Sequence, residues 1–181
     1  MDHLSLRVFC TGNSNRNGVA AAVKLLWPNA SFVSRSTGFD FLSWTSDLQS
    51  RFTELAVKHN VFINNSFISP GVQTLLLQQT HRTWMEHDIK GYIINIGTTL
   101  EWSLQPSAYA KSKLNLRQHS LELSDQAGIT GIRTSHILVG GLNDIGSTSK
   151  DGVCPIDLVQ TIAWIIGSNS RLPLLQIDSN K

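Results

Sequence analysis

Tyr109 and Lys113 stand four residues apart in Ser107-Ala108-Tyr109-Ala110-Lys111-Ser112-Lys113, just after Pro106 and at the start of a long helical pattern. On a helix that spacing puts both side chains on one face, one turn apart. A phenol with a reference pKa of about 10 is a poor acid at neutral pH, and bringing it near 7 takes roughly 4 kcal/mol. One ammonium about 4 Å away, at an effective dielectric of about 20, supplies about that much. The pair is therefore equipped to donate a proton to a carbonyl. The same pair also occurs on ordinary helix surfaces, and spacing alone does not separate the two. Thr98 and Thr99 end the apolar run Tyr92-Ile93-Ile94-Asn95-Ile96-Gly97, so a strand delivers a hydroxyl a short loop before Tyr109.

Elements at the other end of the chain must position a partner for that chemistry. Leu6 to Cys10 reads as a first strand, Thr11-Gly12-Asn13-Ser14-Asn15-Arg16-Asn17-Gly18 as a turn, and Val19 to Trp27 as a helix stopped by Pro28. Strand, glycine-bearing turn and helix make a phosphate site, because free backbone N–H groups and the helix dipole point at the turn. Asn13, Asn15 and Asn17 tolerate left-handed backbone better than most residues. A polar turn without a ligand is the plainer alternative. A second strand, Ser31 to Ser34, ends at Arg35. At that distance from a glycine turn an Arg accommodates the 2′-phosphate of NADP, where an acid would bind the 2′-OH of NAD. Arg16 offers a second cation.

The order strand, hydroxyl, loop and Tyr-x-x-x-Lys helix resembles the short-chain dehydrogenase/reductase family, and the resemblance runs over nearly the whole chain. It implies a Rossmann-like, doubly wound parallel α/β sheet of about seven strands, in a single NADP-binding domain covering residues 1–181. By resemblance Thr98, with Thr99 as the alternative, orients the substrate carbonyl. Tyr109 is the general acid/base, and Lys113 lowers the Tyr109 pKa and holds the nicotinamide ribose. The family's Thr-Gly-x-x-x-Gly-x-Gly turn is matched at Thr11, Gly12 and Gly18, with Arg16 in the place of the middle glycine and Asn15 beside it. Thr37-Gly38-Phe39-Asp40-Phe41 resembles the third strand, with Asp40 near the adenine. The helix that should separate strands two and three has no room.

Asn64-Asn65 matches the start of the family's Asn-Asn-Ala-Gly, which departs at Ser66 and Phe67. Val139-Gly140-Gly141 resembles the Pro-Gly turn that faces the nicotinamide. The Asn of the family's proton relay would fall near Ser69 or Pro70, where this chain has none. The cofactor implied by Arg35 is NADP(H) rather than NAD(H), and the substrate is a small carbonyl or alcohol.

The rest of the chain narrows the field. A net charge of +2 with 15% charged residues leaves no polyanion footprint, hence no nucleic-acid partner. Met1 to Arg7 lacks the basic flank and apolar core of a signal peptide. Leu158 to Gly167, interrupted by Gln160 and Thr161, is too short to span a bilayer, so no membrane role is expected. Cys10 and Cys154 lie far apart and fit a reduced, cytoplasmic chain. The six His show no metal-ligand spacing, and no metal is expected.

Helices are expected over Ser43 to His59, Gly71 to His87, Ser107 to Gln126 and Pro155 to Gly167, and further strands over Ile129 to Leu138 and Leu172 to Asp178. Leu75, Leu76 and Leu77, with Leu114, Leu116, Leu121 and Leu123, put apolar residues on more than one helix face, which suits a homodimer or homotetramer. Trp102 is read as a substrate contact or as loop packing. Leu142 to Gly152 is read as a mobile substrate loop or an ordinary connection. The function expected is reversible hydride transfer between nicotinamide and a carbonyl/alcohol pair. The alternative is a weakly active or inactive NADP(H)-binding sensor or scaffold, and a nucleotide-sugar epimerase or dehydratase is a more distant third.

Overall fold

Val8-Phe9-Cys10, Val61-Phe62-Ile63 and Ile93-Ile94 are continuous apolar runs, the pattern of strands buried on both faces. A computed structural model describes residues 6–147, 149, 151–168 and 171–178. Met1 to Ser5, on which most of the N-terminal reading rests, lie outside the described residues. Six strands form one parallel sheet in the order β2-β1-β3-β4-β5-β6: β1 (Val8–Thr11), β2 (Ser31–Val33), β3 (Val61–Asn64), β4 (Gly91–Ile96), β5 (Ile132–Val139) and β6 (Leu174–Ile177).

Parallel neighbours require crossovers, and helices supply them. They are α1 (Val19–Leu26), α2 (Ser46–Ala56), α3 (Val72–Glu86), α4 (Ala108–Asp125), the short α5 (Ala127–Thr130) and α6 (Pro155–Gly167). Strand alternation divides the core in two. Val8, Cys10, Ile63, Ile94 and Ile137 pack with Val19 and Val23 of α1 and Leu158 and Ile162 of α6. Phe9, Phe62, Ile93 and Ile132 pack with Phe52 of α2, Leu76 and Trp84 of α3 and Leu116 of α4. The sheet is therefore doubly wound. The strand order reverses between β1 and β3, and in open α/β sheets such a switch point, at the carboxyl ends of the strands, is where ligands bind.

Six strands form where about seven are expected, and the missing one is Thr37 to Phe41. Arg35–Thr37 instead makes a 3-10 turn, closed by a capping box between Ser34 and Thr37 and by Gly38 at φ 83°. The Thr37 hydroxyl accepts from Ser34 N (2.9 Å) and donates to Phe32 O (3.1 Å), spending the backbone groups a third strand would pair with. Phe41 is buried against Trp44 and Phe52. The strand expected from Ile129 begins only at Ile132, because Ala127–Thr130 is helical and ends on Gly131 at φ 71°. Helices α1, α2, α3, α4 and α6 fall where the periodicity puts them, within a few residues. No described helix is long and apolar enough to cross a membrane.

The segment after β5 is tied down. Ile145 N donates to Asn17 O (2.8 Å), and the Asn143 amide donates to Ser149 O and Gly152 O (both 2.9 Å). Residues 141–147 thus lie across the turn that follows β1.

Candidate active site

Ser107 sets the start of α4: its hydroxyl accepts from Ala110 N at 3.2 Å, an N-cap worth about 1 kcal/mol. Tyr109 therefore sits in the first turn and Lys113 one turn on. At the end of β4, Thr98 caps the 3-10 turn Thr99–Trp102, its hydroxyl accepting from Leu100 N (3.3 Å). These three side chains converge on one cavity of about 280 Å³, lined also by Asn65, Phe67, Ile96, Gly97, Val139, Gly140 and Leu142. Of the two threonines, Thr98 lines it and Thr99 does not.

The Tyr109 hydroxyl and the Thr98 side chain face the same cavity and interact. The Lys113 ammonium is buried, donates to Ile96 O at 2.6 Å and lies 5.6 Å from the centroid of the Tyr109 ring. This corrects the expected electrostatics. Burial holds the Tyr109 pKa above its ordinary value, the hydrogen bond from Thr98 works against that, and the Glu101 carboxylate adds to it. Lys113 is itself lowered to about 8 by burial, with Glu101 acting in the opposite sense. The ammonium gives one of its three N–H donors to the Ile96 carbonyl, which leaves two for other partners.

The turn after β1 keeps the expected glycine geometry at one end only. Gly12 has φ +135°, and a Cβ there would come within 3.0 Å of Ala20 Cβ and of Ser66 Oγ. Thr11 ties the switch point: its hydroxyl accepts from Asn65 N (2.8 Å) and Ser66 N (2.9 Å), and the Asn65 amide donates to Thr11 O (3.3 Å). Asn13, Asn15 and Asn17 take no left-handed backbone; among the described residues Asp88 is the one non-glycine with positive φ. The turn is held instead by Asn15 N donating to Asn13 Oδ1 (2.9 Å). Asn15, Arg16, Arg35 and Asp40 are exposed, and Gly18 precedes α1 with no side-chain cap on the helix's free N–H groups.

Asn64 has a different part from the one expected. It is fully buried, its amide donates to Gln73 O (2.8 Å) and Asn95 Oδ1 (2.9 Å), and Gln73 Nε2 returns a bond to Asn64 O (2.8 Å). Asn95 continues to Ser120 Oγ (3.1 Å). Asn64 therefore braces β3, α3, β4 and α4, while Asn65 reaches the cavity. Trp102 does not line the cavity; it carries the Arg117 guanidinium on its ring at 4.4 Å.

Sequence reasoning missed a buried charge cluster behind the cavity wall. Glu101 Oε1 accepts from Thr98 N (3.1 Å) and lies 3.0 Å from His136 Nε2, and Glu101 Oε2 lies 3.5 Å from Arg117 Nη1. Burial lowers the His136 pKa; Glu101 opposes this, while Lys113 and Arg117 reinforce it. The imidazole is thus a neutral donor to the carboxylate near pH 7. One signal for this was available, since Thr98-x-x-Glu101 has capping-box spacing. Among the described residues no group of His, Cys, Asp and Glu is placed to hold a metal.

The residues present fit a nicotinamide dinucleotide on two observations. A bare backbone at Gly12 and the free N–H groups of α1 suit a pyrophosphate. The cavity, at the same sheet end, presents Tyr109, Lys113 and Asn65. Phe67 departs from that fit, because its ring stands edge-on to Tyr109 with centroids 4.8 Å apart.

No family model and no curated protein sequence matches the chain. Solved structures do. A short-chain dehydrogenase from Leptospira borgpetersenii with bound NAD+ is 20% identical, with a TM-score of 0.74 over 96% of this chain and 91% of that one. An acetoin dehydrogenase from Salmonella typhimurium is 15% identical, with a TM-score of 0.74 over 97% and 94%. A 4-hydroxyisoleucine dehydrogenase complexed with NADH and succinate is 18% identical, with a TM-score of 0.73 over 96% and 98%. With its parallel sheet, its switch point between β1 and β3 and these neighbours, the chain has the Rossmann-like fold of the short-chain dehydrogenase/reductases.

Proposed function

We propose that the chain is a nicotinamide-dependent oxidoreductase of the short-chain dehydrogenase/reductase type, interconverting a small carbonyl and its alcohol. The observation that carries this reading is the convergence of Thr98, Tyr109 and Lys113 on one cavity at the carboxyl end of the sheet. A nicotinamide, when bound, supplies or accepts the hydride. Thr98 donates a hydrogen bond to the substrate oxygen, and Tyr109 gives that oxygen its proton. A phenol held above its ordinary pKa stays protonated at neutral pH, the form the reducing direction requires. Lys113 holds the ribose by charge-assisted hydrogen bonding. Thr11, Gly12, Asn15, Arg16 and Gly18 are the candidates for the pyrophosphate, Asp40 for the adenine, and Asn65 and Gly140 for the nicotinamide end. Arg35, exposed at the end of β2, selects NADP(H) over NAD(H).

The second reading is a nucleotide-binding sensor or scaffold with little turnover. Phe67 against Tyr109, in the place of the small residue that lets a cofactor pass close to the backbone, is the observation in its favour. Titration of the pure protein with NADPH and NADH, followed by a screen of small ketones and aldehydes for loss of absorbance, decides between them. Tight binding with no turnover across a broad panel rejects the enzyme, and no binding of either nucleotide rejects both readings.

A further inference from the structure

The cluster behind the cavity poses a question of charge. Glu101 comes from the 3-10 turn after β4, His136 from β5 and Arg117 from α4, and the Glu101 side chain has no exposure. A carboxylate taken out of water is costly. A capping box does not require it, since a glutamine accepts from the Thr98 N–H as well as a glutamate does. Space for the charge is nonetheless reserved. A Cβ at Gly97 would stand 2.2 Å from His136 Nε2 and 2.5 Å from Glu101 Oε1, so the strand carries a glycine where the pair lies against it. The titratable and charged groups around Lys113 are Tyr109 and Arg117 on its own helix, Glu101 on the 3-10 turn and His136 on β5. Of these only Glu101 is a carboxylic side chain.

We propose that Glu101 is a positioning residue of the active site, fixing Thr98 at the strand end and, through its negative charge, keeping the buried Lys113 in its ammonium form. The inference rests on the reading of Thr98, Tyr109 and Lys113 as the reacting set. His136 serves it by donating to Oε1, and Arg117 by facing Oε2 under the cover of Trp102. Glu101 Oε1 lies against Gly97, the residue after the Ile96 carbonyl that accepts from the Lys113 ammonium, and from there its charge favours a protonated lysine and a protonated phenol.

The test is the titration of Lys113 in the protein without nucleotide, followed by NMR of selectively labelled lysine. Glu101→Gln keeps the shape and an acceptor for Thr98 N and removes the charge. The Lys113 midpoint is expected to fall from about 8 by about one pH unit, the scale set by one nearby opposite charge. Glu101→Asp, which keeps the charge, should hold the midpoint near the wild-type value. The high-pH limb of NADPH binding should follow the same order. A structural role alone would leave the midpoint in place.

As a second route, the double variant Glu101→Met/Arg117→Met replaces the ion pair by apolar side chains, a change folds often accept. Arg117→Met alone removes the neighbouring cation, so the double variant should place the midpoint below that of Arg117→Met. An unmoved midpoint in folded Glu101→Gln, or a double variant no lower than Arg117→Met, overturns the proposal. So does failure of both to fold, which would make Glu101 a residue of stability alone. Failure of the wild type to bind NADPH or NADH would instead refute the nicotinamide reading, and is read separately from the lysine titration.

Discussion

The Lys113 ammonium lies over the face of the Tyr109 ring, 5.6 Å from its centroid, with its hydrogen bond given to the Ile96 carbonyl. Tyr109, raised above its ordinary pKa by burial, keeps its proton near neutrality.

Replacing Tyr109 by Phe removes one hydroxyl and keeps the ring packed on Phe67. Carbonyl reduction should fall by ~10²–10⁴, the range typical of losing a general acid, while NADPH affinity stays within about twofold. Steady-state rates beside a fluorescence titration check this, and a variant as active as the parent rejects Tyr109 as the acid.

Lys113→Met should stabilise the protein at neutral pH while ending turnover. The folded-state pKa is about 8 against an ordinary value of 10.5, a gap worth about 3 kcal/mol at about 1.4 kcal/mol per pH unit. Below pH 8 both states hold the proton and the cost of burying the ammonium is carried in full. Between about 8 and 10.5 the unfolded chain binds the proton and the folded chain does not, so wild-type stability gains a contribution as pH rises across that window. Methionine removes the cost and gives up the bond to Ile96 O, for a net gain of about 1–2 kcal/mol at pH 7 and a loss of that pH dependence. Urea midpoints at pH 7 and pH 10 measure both effects.

Gly97→Ala drives a methyl group into the His136 and Glu101 side chains. Both are fixed by mutual hydrogen bonding in a fully buried place, so overpacking should cost about 2 kcal/mol or more. Chemical denaturation of the variant against wild type is the measurement. A change below about 0.5 kcal/mol would mean that the cluster yields easily.

Arg35→Asp should weaken NADPH binding about tenfold through the lost charge-assisted bond and leave NADH equal or improved. Calorimetry with the two nucleotides reads the difference. Equal affinity of the wild type for both would reject the assignment of Arg35.

Leu75, Met85 and Leu123 line a second cavity of about 560 Å³ on the outer side of α3 and α4, together with His81 and Arg82. Met85 is 53% exposed, whereas Leu76 and Leu77 are spent on the core. If these helices pair copies of the chain, Met85→Glu should lower the sedimentation coefficient to that of a monomer. A wild type already monomeric at micromolar concentration rejects the pairing.

The parts of the site that could be read in the sequence are those set by local spacing. Tyr109 and Lys113 share a helix face, Thr98 ends a strand, and Gly12 follows a strand and precedes a helix; each follows from neighbours within a turn or two. Helical spacing fixes the face two side chains share, not which atom of one approaches which atom of the other, and so it does not fix how the Lys113 charge acts on the phenol. His136 reaches Glu101 across 35 residues of chain, and Asn64 reaches Asn95 across 31, through strand pairings that no local pattern announces. Thr37 to Phe41 has aromatic residues that suit a strand, yet Thr37 as a cap and Gly38 at positive φ turn the chain away.

That turn has a consequence for how the molecule behaves among its own copies. A sheet that stops at β2 leaves an edge, and an edge strand ordinarily offers unpaired backbone groups to any extended segment that meets it. Here the edge strand is three residues long, and Thr37 has already taken Phe32 O and Ser34 N, with Phe39 N on Ser34 O. The chain has closed this border with one hydroxyl and one amide, so the sheet is shortened at β2 without leaving, on that side, a template on which neighbouring molecules could extend it.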